Sequence, residues 1–151
     1  MSGAYRRRSA VASGAMDPAE ALDVIRIQHH AVLATTRADG RPQLSPVAAA
    51  VVDGMVVVST RRTAMKAKNL RRVPYASLCV FGDSFFGDRW VQVEGPTELV
   101  ELPRAMDGLD AYYRAVSGEH PDWDEYHRAM EAEQRVLIRL TIERAGPDRA
   151  G

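Results

Sequence analysis

A mainly β domain with attached helices, an α+β fold, is what this 151-residue chain predicts, on three observations. Two Asp-Gly turns separate β-rich runs. Apolar and polar residues alternate within several of those runs. Helical signals are confined to the start of the chain, one short central segment and a late stretch. The length is that of one domain and is sufficient to bury a core without staples. With 46% hydrophobic and 26% charged residues the composition is that of an ordinary globular protein. Basic residues (Lys+Arg 20) equal acidic ones (Asp+Glu 20), so no global field draws DNA or anionic lipid, and any anion site has to be local.

The elements follow in order. Residues 1–15 are small, polar and basic and read as a disordered tail; Arg6, Arg7 and Arg8 within it are solvated charges. Met16, just before the first helix, is an alternative initiation site. Asp17-Pro18-Ala19-Glu20 is an N-cap with proline at the first helical position and a reciprocal glutamate, opening a helix to about Gln28 with Ala21, Leu22 and Ile25 at core spacing. Three antiparallel strands come next: "HAVLATTR", "RPQLSPVAAAVV" and "MVVVST". Pro42 and Pro46 cannot donate ladder hydrogen bonds, which places the second strand at an edge, a bulge or an opening. Alternation sets Gln43, Ser45 and Val47 on one face of it and Leu44, Pro46 and Ala48 on the other.

A short helix from about Thr63 to Arg72 is ended by Pro74. "YASLCVFG" is a fourth strand, and "RWVQVEGPTELVE" is a long fifth one bent at Gly95-Pro96. Helical signals return at 103–116 and from Asp122, whose Asp-Trp-Asp-Glu repeats the cap-and-glutamate pattern. Trp123 and Tyr126 anchor that helix, and Met106, Tyr112 and Tyr113 pack its neighbour. The last strand, "RVLIRLTIE", turns Val136, Ile138, Leu140 and Ile142 to one face. Mostly antiparallel strands with local connections indicate a small barrel with helices attached, in a domain spanning 16–145 with a short tail at 146–151.

One stretch carries the chemistry. "STRRTAMKAKNLRRVP" (59–74) holds the chain's two lysines, Lys66 and Lys68, with Arg61, Arg62, Arg71 and Arg72, and no acid between Thr60 and Pro74. At 100° per residue the lysines point roughly 200° apart, so one spot cannot receive both. Lys66 lies beside Leu70 at the edge of the inward stripe Ala67, Leu70, Val73. Lys68 shares the far side with Arg72. Hydroxyls and cations where a strand hands over to a helix suit a phosphate, and a solvated basic face is the plainer alternative. No Gly-x-Gly-x-x-Gly or Walker loop is present, which argues against Rossmann and P-loop enzymes. Cys79 alternates with Leu78 and Val80 as a buried, inert thiol, and a chain with one cysteine fits a reducing cytoplasm. His29, His30, His120 and His127 match no metal motif, no catalytic side-chain set is proposed from spacing, and no apolar run is long enough to span a bilayer.

"ATTRADGRPQLSPV", "VVSTRRTAMKAKNLRRVPYASL", "WVQVEGPTELVE" and "YYRAVSGEHPDWDEYHRAM" together resemble the pyridoxamine 5′-phosphate oxidase-like split-barrel family. Within it they resemble the branch that uses the deazaflavin coenzyme F420. The likeness covers about residues 17–143. It implies a six-stranded split β-barrel of the FMN-binding type, a cytoplasmic homodimer, and cofactor sites at the dimer interface. It further implies that Ser59, Thr60, Lys66 and Asn69 hold the cofactor's phosphate and adjoining tail. Gln43, Ser45, Pro46 and Val47 would line its ring, and Trp90 would reach the site from the other subunit. Relatives often have a basic residue at position 64; here it is Ala64, and Arg61 or Arg62 is placed to compensate. The implied activity is hydride transfer from reduced F420 to an unsaturated organic substrate, with Ser45 one possible proton donor. The alternatives are an FMN-binding flavoprotein of the same fold and a non-catalytic binder of F420 or a tetrapyrrole. Pyridoxamine phosphate oxidation is the least favoured, because no second set of phosphate-binding blocks is recognisable.

Overall fold

A computed structural model describes residues 16–84 and 86–147. The expected N-terminal tail and residues 148–151 lie outside that range. Helix α1 (Pro18–Ile27) starts where Asp17 accepts a hydrogen bond from Ala19 N at 2.9 Å, with Pro18 at the first helical position. It buries Ala21, Val24 and Ile25, so Val24 takes the core place expected of Leu22, which is half-buried.

Strands β1 (His30–Thr36) and β2 (Pro42–Ala48) form an antiparallel hairpin. After Ala49 the chain continues as β3 (Ala50–Val52), which pairs with β4 (Met55–Arg61) around Asp53-Gly54. Both turn residues have positive φ, 52° and 72°, as a tight hairpin turn demands. Helix α2 (Met65–Arg72) leads to β5 (Tyr75–Phe81) and β6 (Val91–Val100). Helices α3 (Met106–Ser117) and α4 (Trp123–Ala132) precede β7 (Arg135–Leu140) and β8 (Arg144–Ala145).

The sheet order is β2-β1-β5-β6-β7-β4-β3, with β8 beside β6. Its two ends, β2 and β3, are halves of one run broken at Ala49, whose N–H bonds His29 O at 2.8 Å. The order therefore closes on itself: six runs of extended chain make a split barrel, as expected, and β2 is at an edge where its prolines are tolerated. The second expected strand is really two, because its first half joins one sheet and its second half the other.

A second corner lies at Gly95-Pro96. The first part of β6 pairs with β5 and the last part with β7. The expected last strand stops at Leu140 instead of Glu143, for a tertiary reason. Register runs Thr97↔Leu140 on one side of the corner and Glu94↔Arg144 on the other, so one extra residue is inserted opposite β6 as a bulge. A Cβ on Gly95 would fall on the Thr141 carbonyl oxygen, so only glycine allows this approach. Ladder bonds then continue past the expected domain end, with Gln92 N donating to Pro147 O at 3.1 Å.

Two apolar clusters result. Val56, Val58, Leu33, Leu78, Val80, Val91, Ile138 and Leu140 fill the barrel, into which α1 inserts Ile25 and α2 inserts Leu70. Outside the wall of β3, β4 and β7, Val57, Leu109, Tyr126, Met130 and Leu137 form a second cluster under α3 and α4. No helix among the described residues is long and apolar enough to cross a membrane.

If the second corner is the constraint described, Gly95→Ala destabilises the chain by about 2 kcal/mol or more, through overpacking against backbone. Urea unfolding measures it; a loss within about 0.5 kcal/mol, the ordinary surface range, would refute the close approach as a fold requirement.

Candidate functional site

Helix α2 lies at the end of the barrel where β1 finishes and β5 begins. Its Asn69 is buried and joins a chain of side-chain hydrogen bonds. Asn69 Nδ2 donates to Thr35 Oγ1 at 3.1 Å, Thr35 Oγ1 donates to Gln43 Oε1 at 3.2 Å, and Gln43 Nε2 donates to Ser45 Oγ at 2.9 Å. At the other end Arg72 Nη2 reaches both Asn69 Oδ1 at 3.1 Å and Thr36 O at 2.6 Å. Three of the expected cofactor residues, Gln43, Ser45 and Asn69, are thus brought into one network that ties α2 to the β1–β2 hairpin. Thr35 and Arg72 complete it, and the sequence reading missed both. Arg72 sits three residues after Asn69, a helical spacing that brings side chains together, so its part was detectable. Above this network runs an open groove of about 580 Å³ lined by Arg37, Ala38, Asp39, Gln43, Met65, Asn69 and Arg72.

The other side of α2 meets β6, and its start follows the end of β4. Ala64 is the N-cap of α2 and makes no side-chain cap bond. Lys66 is half-buried and Lys68 exposed, in keeping with their opposite helical directions. Burial, and then the charge of Arg135, holds the Lys66 ammonium below the ordinary lysine pKa. No hydrogen bond or ion pair joins Lys66 to another described residue. Most neighbouring cations are neutralised: Arg61 bonds Glu133 at 3.3 Å, Arg62 bonds Glu101 at 3.2 Å, and Arg71 lies 3.6 Å from Glu101. Glu133, held mainly by its hydrogen bond from Arg135, stays below the usual carboxylate range.

Strand alternation divides the expected residues between faces. Thr60 is buried on the barrel side of β4 with Val56 and Val58, whereas Ser59 and Arg61 face outward with Val57. On β2, Gln43, Ser45 and Val47 turn inward, and Pro46 turns outward with Leu44, which is 63% exposed. Trp90 precedes β6, whose Val91 pairs with Val80; across β1 and β5, Val47 is level with Val80 and Gln43 with Ala76. Three strand spacings of about 4.8 Å, roughly 14 Å, therefore separate Trp90 from even the nearest of the β2 residues. Within one chain Trp90 does not meet the other expected residues.

The outer face of this sheet is largely apolar. Pro46, Val32 and Cys79 are lateral neighbours across three strands, with Leu44 and Ala34 one step along and Phe81 at the far end. Cys79 is half-buried on that face instead of lying in the core, because the inward places on β5 belong to Ala76, Leu78 and Val80; burial pushes its thiol pKa up.

Helices α3 and α4 act as a buttress. Tyr112 donates to Ala48 O at 2.9 Å, next to the barrel's first corner. Tyr126 donates to Leu109 O at 2.9 Å, and burial pushes its phenol up to about 12. Trp123 stacks edge-on to Tyr126, Asp122 caps α4 through Glu125 N, and His127 bonds Asp110 at 2.9 Å.

The pyridoxamine 5′-phosphate oxidase family matches residues 18–147. A conserved hypothetical protein of Mycobacterium tuberculosis is 30% identical, with a TM-score of 0.72, covering 87% of this chain and 84% of that one. An F420 reductase is 21% identical with a TM-score of 0.62, covering 83% of this chain and 94% of its own. A heme-binding protein of Mycobacterium smegmatis, also 21% identical, superposes with a TM-score of 0.66 on 86% of this chain but 53% of its own length. At these identities the last two likenesses concern the fold alone.

Truncating Asn69 leaves Thr35 and Arg72 short of buried partners. Asn69→Ala is expected to cost about 1–3 kcal/mol of stability. Lys68→Ala, on the solvent side of the same helix, costs less than about 0.5 kcal/mol. Denaturant titrations giving equal losses would contradict the network's structural part.

Proposed function

The chain belongs to the pyridoxamine 5′-phosphate oxidase family, and from that membership we propose that it is an F420-dependent oxidoreductase acting on an unsaturated organic substrate. The observation that carries the reading is Lys66: a half-buried ammonium at the start of α2 with no ion pair among the described residues. Burying a cation costs free energy unless an anion answers it. A phosphate would answer it, and Lys66 gives one a compact point charge. Ser59 and Arg61 border the same outward side of β4 and supply a hydroxyl and a second cation, so the donor set fits a phosphorylated cofactor. The block from Lys66 to Pro74, with its resemblance to the F420-using branch, is what favours F420 over FMN; a structure described as an F420 reductase shares the fold.

When bound, reduced F420 supplies a hydride as an electron pair from a ring carbon. The chain's own residues have positional work to do. Lys66, Ser59 and Arg61 hold the phosphate. Segment 43–47 provides a shelf for the ring: its inward side chains are locked by the Thr35–Asn69 network, and Pro46 lies on its outer surface. Thr60, buried on the barrel side, would contribute through its backbone. Asn69 supports the shelf from below and positions Arg72 at the 580 Å³ groove, where a charged cofactor tail would run. The hydride brings both electrons, and the matching proton would come from solvent or from a hydroxyl such as that of Ser45, so no acid–base pair of side chains is required.

We further propose that two copies share the site. The apolar outer face of β1, β2 and β5 suits burial against a second copy. In such a homodimer Trp90 of one copy approaches the β2 shelf of the other, which the separation within one chain forbids.

F420 is expected to bind at micromolar or tighter dissociation constants, about −8 kcal/mol, and more tightly than FMN. Lys66→Ala weakens F420 binding by about 1.5–3 kcal/mol. Lys68→Ala weakens it by less than about 1 kcal/mol, a loss that shrinks with salt. Because the Lys66 pKa is lowered, its charge is lost earlier than an ordinary lysine's as pH rises. Affinity should fall correspondingly early on the alkaline side, and Lys66→Arg should remove that fall. Fluorescence titration measures each of these; tighter FMN binding, with peroxide produced in air, would overturn the F420 reading.

A further inference from the structure

Arg135 opens β7 directly opposite Arg61 of β4 in the antiparallel register. Residues so placed have Cα atoms roughly 4.5–5.5 Å apart, and like charges there repel. One carboxylate holds the two together: Glu133 Oε1 accepts from Arg135 Nη2 at 2.9 Å and from Arg61 Nη2 at 3.3 Å. Lys66 is a third cation close enough to feel the Arg135 charge. Three cations thus lie about the bridging carboxylate Glu133, while Glu101 and Glu131 line the pocket that Arg135 shares with Arg62.

Hydrogen bonding is as incomplete as charge. Arg135 Nε is buried and has no hydrogen-bond partner, although the side chain as a whole keeps 27% of its surface exposed. A guanidinium presents its donors as a planar fork, and Glu133 occupies only one of its nitrogens. Glu133 offsets the repulsion between Arg61 and Arg135 but leaves the Arg135 Nε donor unanswered. A tetrahedral oxyanion would satisfy both deficits, pairing with Lys66 on one side and with the free guanidinium edge on the other.

We propose that Arg135 is a phosphoryl-binding residue acting together with Lys66, and that Glu133 is the internal carboxylate with which the phosphoryl group competes. The identity of the phosphoryl compound as F420 rests on the function proposed above; the anion site itself does not. A phosphoryl oxygen approaching Arg61 and Arg135 displaces Glu133 from them. Removing the Glu133 charge therefore strengthens binding, and removing the Arg135 fork weakens it.

The test compares full-length wild type, Arg135→Gln, Glu133→Gln and Lys66→Ala with two probes. The first is inorganic phosphate against chloride at matched ionic strength, read as a shift in melting temperature. The second is F420, read by fluorescence titration. Phosphate should raise the melting temperature of the wild type, less that of Arg135→Gln, and more that of Glu133→Gln. F420 should bind Arg135→Gln about tenfold or more weakly and Glu133→Gln more tightly than wild type. The gain in Glu133→Gln cannot come from a damaged fold, so it decides the matter even if Arg135→Gln does not fold. Equal affinities in wild type and Glu133→Gln overturn the proposal, as does unchanged F420 binding in Arg135→Gln beside a loss in Lys66→Ala, which leaves the F420 reading standing. Phosphate stabilisation that depends on Arg135 in a protein that fails to bind F420 supports the anion site and sinks the cofactor assignment instead.

Discussion

Everything at the candidate site depends on two corners where a strand leaves one sheet for the other. At Ala49 the β2–β3 run passes from β1 to β4, and at Gly95 the β6 run passes from β5 to β7. A small sheet closed in this way leaves few free edges and encloses one core. It also decides what meets at the α2 end of the barrel. The first corner carries β3 across to β4 while the hairpin keeps β2 beside β1, where Gln43 pairs with Thr35. The second lets β7 reach β4, so that Arg135 faces Arg61.

Much of this was legible in the sequence, for identifiable reasons. Asp-Gly turns, the Asp17 and Asp122 caps and the Pro42 and Pro46 edge signals act over a few residues, so their physics is written locally. The breaks at Ala49 and after Leu140 were not legible. Both sit inside runs with good β-forming residues, and each is imposed by a strand far away in sequence. The site divides in the same way. Lys66 against Lys68 follows from helical angle alone, and the inward set Gln43, Ser45, Val47 follows from alternation. Thr35 and Arg135 act by reaching across elements, and only the fold reveals what they touch; Arg72 could be linked to Asn69 by helical spacing, but not to the Thr36 carbonyl. Alternation already placed Pro46 and Gln43 on different faces. A ring resting against both therefore has to meet the backbone of the strand as well as its side chains.

The lysine pair stands out in a chain where the other basic residues are arginines. Around α2, Arg62 and Arg72 have settled partners in Glu101 and the Asn69 network, whereas Arg61 shares Glu133 with Arg135. Guanidinium forks are suited to such fixed, multidentate contacts. An ammonium is a compact charge on a flexible stem, better fitted to an incoming group than to a permanent scaffold. Neither lysine has an ion pair among the described residues, but Lys66 is half-buried and Lys68 exposed, so the unanswered charge that burial makes costly is that of Lys66.

The central claim is that a phosphorylated deazaflavin binds where Lys66 of one copy and Trp90 of another come together. F420 titration of co-expressed Lys66→Ala and Trp90→Ala chains addresses it most directly, because each variant alone spoils every site whereas a mixed dimer spoils one site twice and leaves the other intact. The account predicts weak binding by either variant alone and a recovered class of tight sites in the mixture, limited to the mixed dimers. Failure of the mixture to recover tight binding, or tight binding by a monomer, would contradict it.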